Sequence, residues 1–162
     1  MASSYSFDIV SEANLPEVEN AVNQTIKEIT QRYDFKGSKT EIKLEEDILI
    51  STEDEFRLNA VIEILKVKLI KRGVSVKNLD FSKVESAKLG TVRQTVTIVN
   101  GISKEKAKDI INDIKGSKLK VQSQIMDVVL RISAKDKDEL QKVMALTRGK
   151  DYGIDLQFTN YR

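Results

Sequence analysis

The nine residues Asp34-Phe35-Lys36-Gly37-Ser38-Lys39-Thr40-Glu41-Ile42 recur 79 positions on as Asp113-Ile114-Lys115-Gly116-Ser117-Lys118-Leu119-Lys120-Val121, with five identities and two apolar-for-apolar exchanges. In a chain of 162 residues that offset is close to half the length. Whatever folds the first half should therefore fold the second, and the architecture divides into two like units. Leu79-Asp80-Phe81 and Leu156-Gln157-Phe158, each apolar-polar-aromatic, close the two copies. The repeat predicts one unit over residues 1–89 and another over 90–162.

Each copy carries the same order of elements. In the first, Ser6 to Val10 alternates as a strand does. A helix follows, with Asn14 as cap, Pro16 in the first turn and Glu17 at the third position. Leu15, Val18, Val22, Ile26, Ile29 and Tyr33 form its apolar stripe, and Gly37 ends it. Thr40 to Leu44 and Asp47 to Ser51 read as a β-hairpin about Glu45-Glu46. A second helix opens on a Thr52/Glu55 capping box, buries Leu58, Val61, Ile62, Leu65 and Leu69, and stops at Gly73 before a strand over Val76 to Phe81.

The second copy repeats this order. Thr91 to Val99 reads as a strand, and Ser103 caps a helix that turns Ala107, Ile110, Ile111 and Ile114 inward. Lys118 to Ser123 and Val128 to Ser133 form the hairpin. A last helix runs from Asp136 with Glu139 as capping partner to Gly149, and a strand covers Ile154 to Thr159. Each copy is thus an α+β unit of order βαββαβ, two helices packed on one face of a four-stranded antiparallel sheet with the other face open. Residues 82–90 contain no proline and one glycine, and read as strand shared between the units rather than as a loose linker.

Composition removes whole classes of chemistry. There is no Cys and no His, so disulfides, thiol nucleophiles, imidazole catalysis and Cys/His zinc sites are excluded. No apolar run approaches the length of a membrane span and Met1 to Val10 has no secretory pattern, so no membrane partner and a cytoplasmic address are expected. Net charge is +2 overall, but residues 1–81 sum to −4 and residues 82–162 to +6. That asymmetry points to an anionic partner for the second half, or to lysines that merely coat solvated helices.

The repeated Lys-Gly-Ser-Lys resembles a phosphate loop in composition only. Each copy ends a helix, where carbonyls are exposed, whereas phosphate cradles use the N–H groups of a helix start. Gly37 and Gly116 are expected as left-handed C-caps, with the lysines complementing the dipole and free to meet an anion. Arg32-Tyr33-Asp34-Phe35-Lys36 crowds two aromatics and two cations together. Arg32 and Lys36 can share a face, while helical geometry turns Tyr33 inward beside Ile29. Alternation puts Lys118, Lys120 and Gln122 on one sheet face, to which Arg131, Arg93 and Gln94 can add guanidinium and amide donors. Such a surface suits phosphates and base edges, and is also what an ordinary solvated face looks like. The central strands carry none of the aromatics on which RNA-recognition domains stack bases, and no Walker loop or G-x-G-x-x-G is present.

Phe7-Asp8-Ile9-Val10-Ser11-Glu12, Arg32-Tyr33-Asp34-Phe35-Lys36-Gly37, Lys118-Leu119-Lys120-Val121-Gln122, Asp138-Glu139-Leu140-Gln141 and Leu156-Gln157-Phe158 together resemble the YajQ family of bacterial nucleotide-binding proteins. The resemblance implies a tandem of ferredoxin-like domains whose first strands are exchanged, residues 6–10 joining the second sheet and 91–99 the first. It further implies binding of nucleotides or RNA, with cyclic di-GMP a ligand of some members, and no enzymatic activity or cofactor. The chain departs from the family at Met126-Asp127 and Ala134, where glycines are common.

The resulting expectation is a non-enzymatic nucleotide-binding regulator for GTP, ATP, cyclic di-GMP or RNA. Arg32, Lys36, Arg93, Lys118, Lys120 and Arg131 would pair with phosphates, Gln122 or Gln157 would read base edges, and Tyr33 or Phe35 would stack. A protein-interaction adaptor, with sheet faces that form a homo-oligomer or dock a partner, is the competing class. A carboxylate-metal phosphodiesterase built on Glu45-Glu46-Asp47 is the third.

Overall fold

The computed structural model describes residues 4–162. It contains strands β1 (Tyr5–Val10), β2 (Glu41–Leu44), β3 (Ile48–Thr52), β4 (Leu79–Phe81), β5 (Glu85–Ser86), β6 (Val92–Ile98), β7 (Gln122–Met126), β8 (Val129–Ala134) and β9 (Gln157–Thr159). Helices α1 (Leu15–Gln31), α2 (Glu55–Lys71), α3 (Lys104–Gly116) and α4 (Lys137–Arg148) complete it. Two antiparallel sheets form, one of order β7-β8-β1-β9 and one of order β2-β3-β6-β4 with β5 paired to β6. The first strand of each ferredoxin-like copy has been exchanged. β1 lies between β8 and β9, and β6 lies between β3 and β4. Compact units follow the sheets: a continuous one, Ala13–Val99, and a discontinuous one made of the segment ending at Glu12 with Asn100–Arg162.

In the continuous unit α1 and α2 cover the sheet with Val18, Val22, Ile29, Leu58, Val61, Leu65 and Leu69, packed on Ile42, Ile48, Ile50 and Val96. The buried stripe of α1 is rotated from the expected one, because Leu15 and Ile26 are exposed while Ala21 and Thr25 are buried. Thr25 is tolerated there because its hydroxyl donates to the Ala21 carbonyl at 2.8 Å. Nor does α1 reach Gly37. The backbone becomes extended at Arg32, and a single 3₁₀ turn, Tyr33–Phe35, follows. That turn reverses the expected aromatics, leaving Tyr33 89% exposed and Phe35 only 5% exposed in the core.

Two other expectations shift for identifiable reasons. Thr52 does not cap α2, because it is buried and its hydroxyl bonds the Thr40 hydroxyl at 2.9 Å. Asp54 caps instead, accepting the Arg57 N–H at 2.7 Å. Residues 82–90 do not run on as a shared strand. β5 folds back on β6 through consecutive left-handed residues Leu89 (φ 60°) and Gly90 (φ 76°), making a hairpin inside the continuous unit.

In the discontinuous unit α3 and α4 bury Ala107, Ile110, Ile114, Leu140, Val143 and Met144 against Phe7, Ile9, Leu130 and Ile132. Gly116 stays inside α3, and Lys118 (φ 61°) takes the left-handed position. Ser117 causes the delay, since its N–H donates to the Asp113 carbonyl and its hydroxyl to the Ile114 carbonyl, extending the cap by one residue. β7 therefore begins only at Gln122, and Lys118 and Lys120 lie in the turn before it rather than on a strand. The two-residue turn to β8 is opened by left-handed Asp127 (φ 60°), a position where glycine carries no steric penalty.

Candidate functional site

Cross-strand register fixes what the open face of the discontinuous unit presents. Phe7, Ile9, Leu130 and Ile132 point to the helices, so the alternate residues face away from them. Row by row these are Gln122, Ser133 and Ser6, then Gln124, Arg131, Asp8 and Thr159, then Val10 and Gln157. These rows are rich in carboxamides and contain one guanidinium, with Arg162 paired through its backbone to Ser6 at their edge.

Arg131 is anchored. Its Nε and Nη2 donate to the two Asp8 carboxylate oxygens at 2.9 and 3.4 Å, and the Asn160 side-chain amide donates to Asp8 Oδ2 at 2.9 Å. Asp8 is 3% exposed. Arg131 holds the Asp8 carboxyl below the usual carboxylate range and raises its own pKa in return, with Asn160 and Arg162 adding to the effect on Asp8 against the opposing pull of burial. The remaining guanidinium donors make no hydrogen bond among the described residues, so Arg131 offers a fixed, oriented fork at the surface.

Gln157 does not share that freedom. Its Oε1 accepts the Glu12 N–H, and its Nε2 donates to the Glu12 carbonyl and to Asp155, all at 3.0–3.1 Å. The side chain stitches the chain after β1 to β9 and has no edge left for a base. Gln122 and Gln124 are exposed and make no side-chain hydrogen bond among the described residues.

Beside the face, where β7 begins and β8 runs into α4, lies a cleft of about 690 Å³ lined by Ser4, Lys120, Val121, Gln122, Ser133, Ala134, Lys135, Asp136 and Glu139. That volume lies within the range of about 300–1,000 Å³ typical of small-molecule sites. Its acids are engaged. Asp136 accepts the Asp138 N–H as helix cap, and Glu139 accepts the Lys120 N–H at 3.1 Å and pairs with Lys142 at 3.5 Å. Lys120 and Lys135 are exposed and carry no ion pair among the described residues. Alternation through Arg131 extends to Ser133 and that through Gln122 to Gln124, which was not a sequence candidate, and no strand pattern points to Lys135.

The remaining candidates belong to the continuous unit. Arg32 is clasped by Asp34, through Nε and Nη2 at 2.9 and 2.8 Å, and lies 3.9 Å from Glu28. Arg93, on the open face of its own sheet opposite Ser51, pairs with Glu85 at 3.0 Å. Gln94 lies on the other face of β6, alternating from Arg93, and donates to the Ser82 carbonyl. Tyr33 and Lys36 are exposed, whereas Phe35 has no free ring face to offer. All three candidate arginines are thus held by carboxylates, and the candidate lysines are not. Glu45 to Asp47 form the β2–β3 turn, with Asp47 accepting the Ile98 N–H. No group of three or more Asp or Glu that could hold a metal occurs among the described residues. No helix among them is long and apolar enough to cross a membrane.

Fold and surface define a class, a strand-exchanged pair of ferredoxin-like units with a carboxamide-rich open face beside a lysine-lined cleft. Within that class the chain belongs to the family described as nucleotide-binding protein YajQ-like, whose model matches residues 5–162. It is 59% identical to a nucleotide-binding protein of Carboxydothermus hydrogenoformans over the whole of both chains. Identity is 60% to one of Geotalea uraniireducens, covering 97% of this chain and 98% of the relative. A Bacillus cereus nucleotide-binding protein is 54% identical over the full length of both.

Proposed function

We propose that this protein binds a nucleotide without chemically transforming it, and that occupancy serves regulation. The carrying observation is the cleft of about 690 Å³ with unpaired Lys120 and Lys135 at its wall, continuous through Gln122 with the face that presents Gln124 and Arg131. Lysines supply point charges for phosphate, and the free carboxamides of Gln122 and Gln124 supply the paired donor and acceptor that a base edge requires. Lys118, in the turn leading to Lys120, adds to the positive field. The names of the relatives favour the same reading. With no aromatic on the open face, a compact nucleotide, with GTP and cyclic di-GMP as first candidates, is favoured over single-stranded RNA, whose bases need a stacking platform. Absence of Cys and His from the sequence leaves binding better supported than catalysis.

One observation favours a second reading. Helix α2 carries Phe56, Val67 and Ile70 on its solvent side, exposed by 78, 47 and 62%, as an adaptor docking a protein would. Thermal shift with GTP, ATP, cyclic di-GMP and a short RNA, at low and high salt, separates the two. A nucleotide should raise the melting temperature at low salt and lose most of that effect at high salt. No shift from any of them at low salt defeats the nucleotide reading.

A further inference from the structure

Counted from the helix caps Asp54 and Asp136, Ser51 and Ser133 hold the same place, three residues before the cap, and just ahead of the first strand of each hairpin this sets Lys39 against Lys120 rather than against Lys118, its counterpart in the sequence repeat. Glu41 faces Ser51 in the continuous unit as Gln122 faces Ser133 in the other. Lys39 and Lys120 each stand two residues before that pair, and Glu53 and Lys135 each stand two after it, directly ahead of the helix caps Asp54 and Asp136. Arg57 and Glu139 each follow the cap by three. At matched places, therefore, the ion pair Glu53–Arg57 of one unit has become Lys135 and Glu139, with both charges reversed.

The consequence is visible around the matched lysines. In the continuous unit the Glu53 carboxylate accepts from the Lys39 N–H and, at 2.8 and 3.0 Å, from the Ser38 hydroxyl, with Arg57 Nε at 3.4 Å. Burial acts to raise the pKa of Glu53, yet Lys39, Ser38 and Arg57 together hold it below the usual range, so an anion is what this cradle holds. In the discontinuous unit the residue before the cap is a lysine instead; Glu139, from the reversed pair, accepts the matched Lys120 N–H at 3.1 Å, Lys135 lines the cleft with Lys120, and among the described residues no carboxylate pairs with either ammonium.

We infer that only the discontinuous unit takes a nucleotide phosphate, through Lys120 and Lys135, and that the continuous unit's copy of the same place is closed by Glu53 acting as a built-in anion. Binding is then one ligand per chain despite the duplicated fold. This rests on the nucleotide reading above and adds to it a subsite, a new residue, Lys135, and a stoichiometry.

Isothermal titration of the full chain with GTP, ATP and cyclic di-GMP, and separately with inorganic triphosphate, tests it. One equivalent should bind per chain. Lys120→Ala and Lys135→Ala should each weaken binding by about tenfold, the loss of one charge-assisted contact, whereas Lys39→Ala at the matched position should leave affinity within about twofold. Far-ultraviolet circular dichroism confirms that each variant is folded, and all three replaced side chains are exposed. Two equivalents per chain, or equal losses at Lys39 and Lys120, or no loss at Lys135, overturns the inference while leaving nucleotide binding intact. Triphosphate binding with this pattern, but no binding of GTP, ATP or cyclic di-GMP, overturns the nucleotide reading alone, and binding of none of the four overturns both.

Discussion

Residues 32–36 show how little separates a surface side chain from a core one. An uninterrupted helix would have carried Tyr33 onto the Ile29 face, but Arg32 leaves helical geometry, clasps Asp34 and starts a 3₁₀ turn that buries Phe35 instead. Phe35→Ala should cost about 3–5 kcal/mol and Tyr33→Ala no more than about 0.5 kcal/mol, measured by urea unfolding. Equal costs would mean that both rings pack. Periodicity cannot reveal this, because it does not show that the helix gives way at Arg32 to a 3₁₀ turn of different rotation per residue. Asp8 gives the second residue-scale prediction. Its folded pKa lies below the unfolded carboxyl value, of about 3.9. The stabilisation it provides is therefore complete above that value and is lost as pH falls through the folded pKa. Asp8→Asn should flatten the fall in melting temperature below about pH 4. An unchanged acid limb would remove Asp8 from the account of acid stability.

At the scale of elements, what pattern alone could show was the number and order of the helices and of the two repeated hairpins, because each element repeats apolar residues at its own period; the β5–β6 hairpin, with no apolar repeat in β5, was not among them. Where elements begin depends on which side chain reaches a cap first, and that is a tertiary matter. Thr52 has the right chemistry to cap α2 but is withdrawn into a buried hydroxyl pair with Thr40, leaving Asp54 as cap. Asp54→Ala should accordingly lower stability by about 1 kcal/mol, and Thr52→Val, which leaves the Asp54 cap untouched, should not reproduce a capping loss in the amide exchange of the first turn of α2. Protection lost on replacing Thr52 and kept on replacing Asp54 would return the cap to Thr52. The same logic explains the candidate site. Lys118 and Lys120 fit a strand by alternation, yet Ser117 prolongs the end of α3 and pushes both into the turn. There Lys120 lines a cleft together with Lys135, a residue the strand pattern gave no reason to join to it.

The whole molecule is shaped by where the strands of each sheet come from in the chain. Every strand of the β2-β3-β6-β4 sheet, and β5 beside it, lies between Ala13 and Val99. The other sheet has β1 between β8 and β9, separated in sequence from both. Phe7 and Ile9 of β1 are fully buried in its core, and removing a central strand would leave β9 with no partner, since among the described residues it pairs only with β1. Loss of two such side chains, each contributing about 1.5–3 kcal/mol of burial, consumes much of the net stability of about 5–15 kcal/mol typical of a domain. A fragment of residues 13–99 should therefore fold cooperatively alone, with dispersed amide resonances, while residues 100–162 should not. Adding a peptide of residues 4–12 to that second fragment should restore dispersion by supplying β1 in trans. If 100–162 folds unaided, β1 is an accessory to its sheet rather than a requirement; if 13–99 stays unfolded, contiguity in sequence is not what makes that unit self-sufficient.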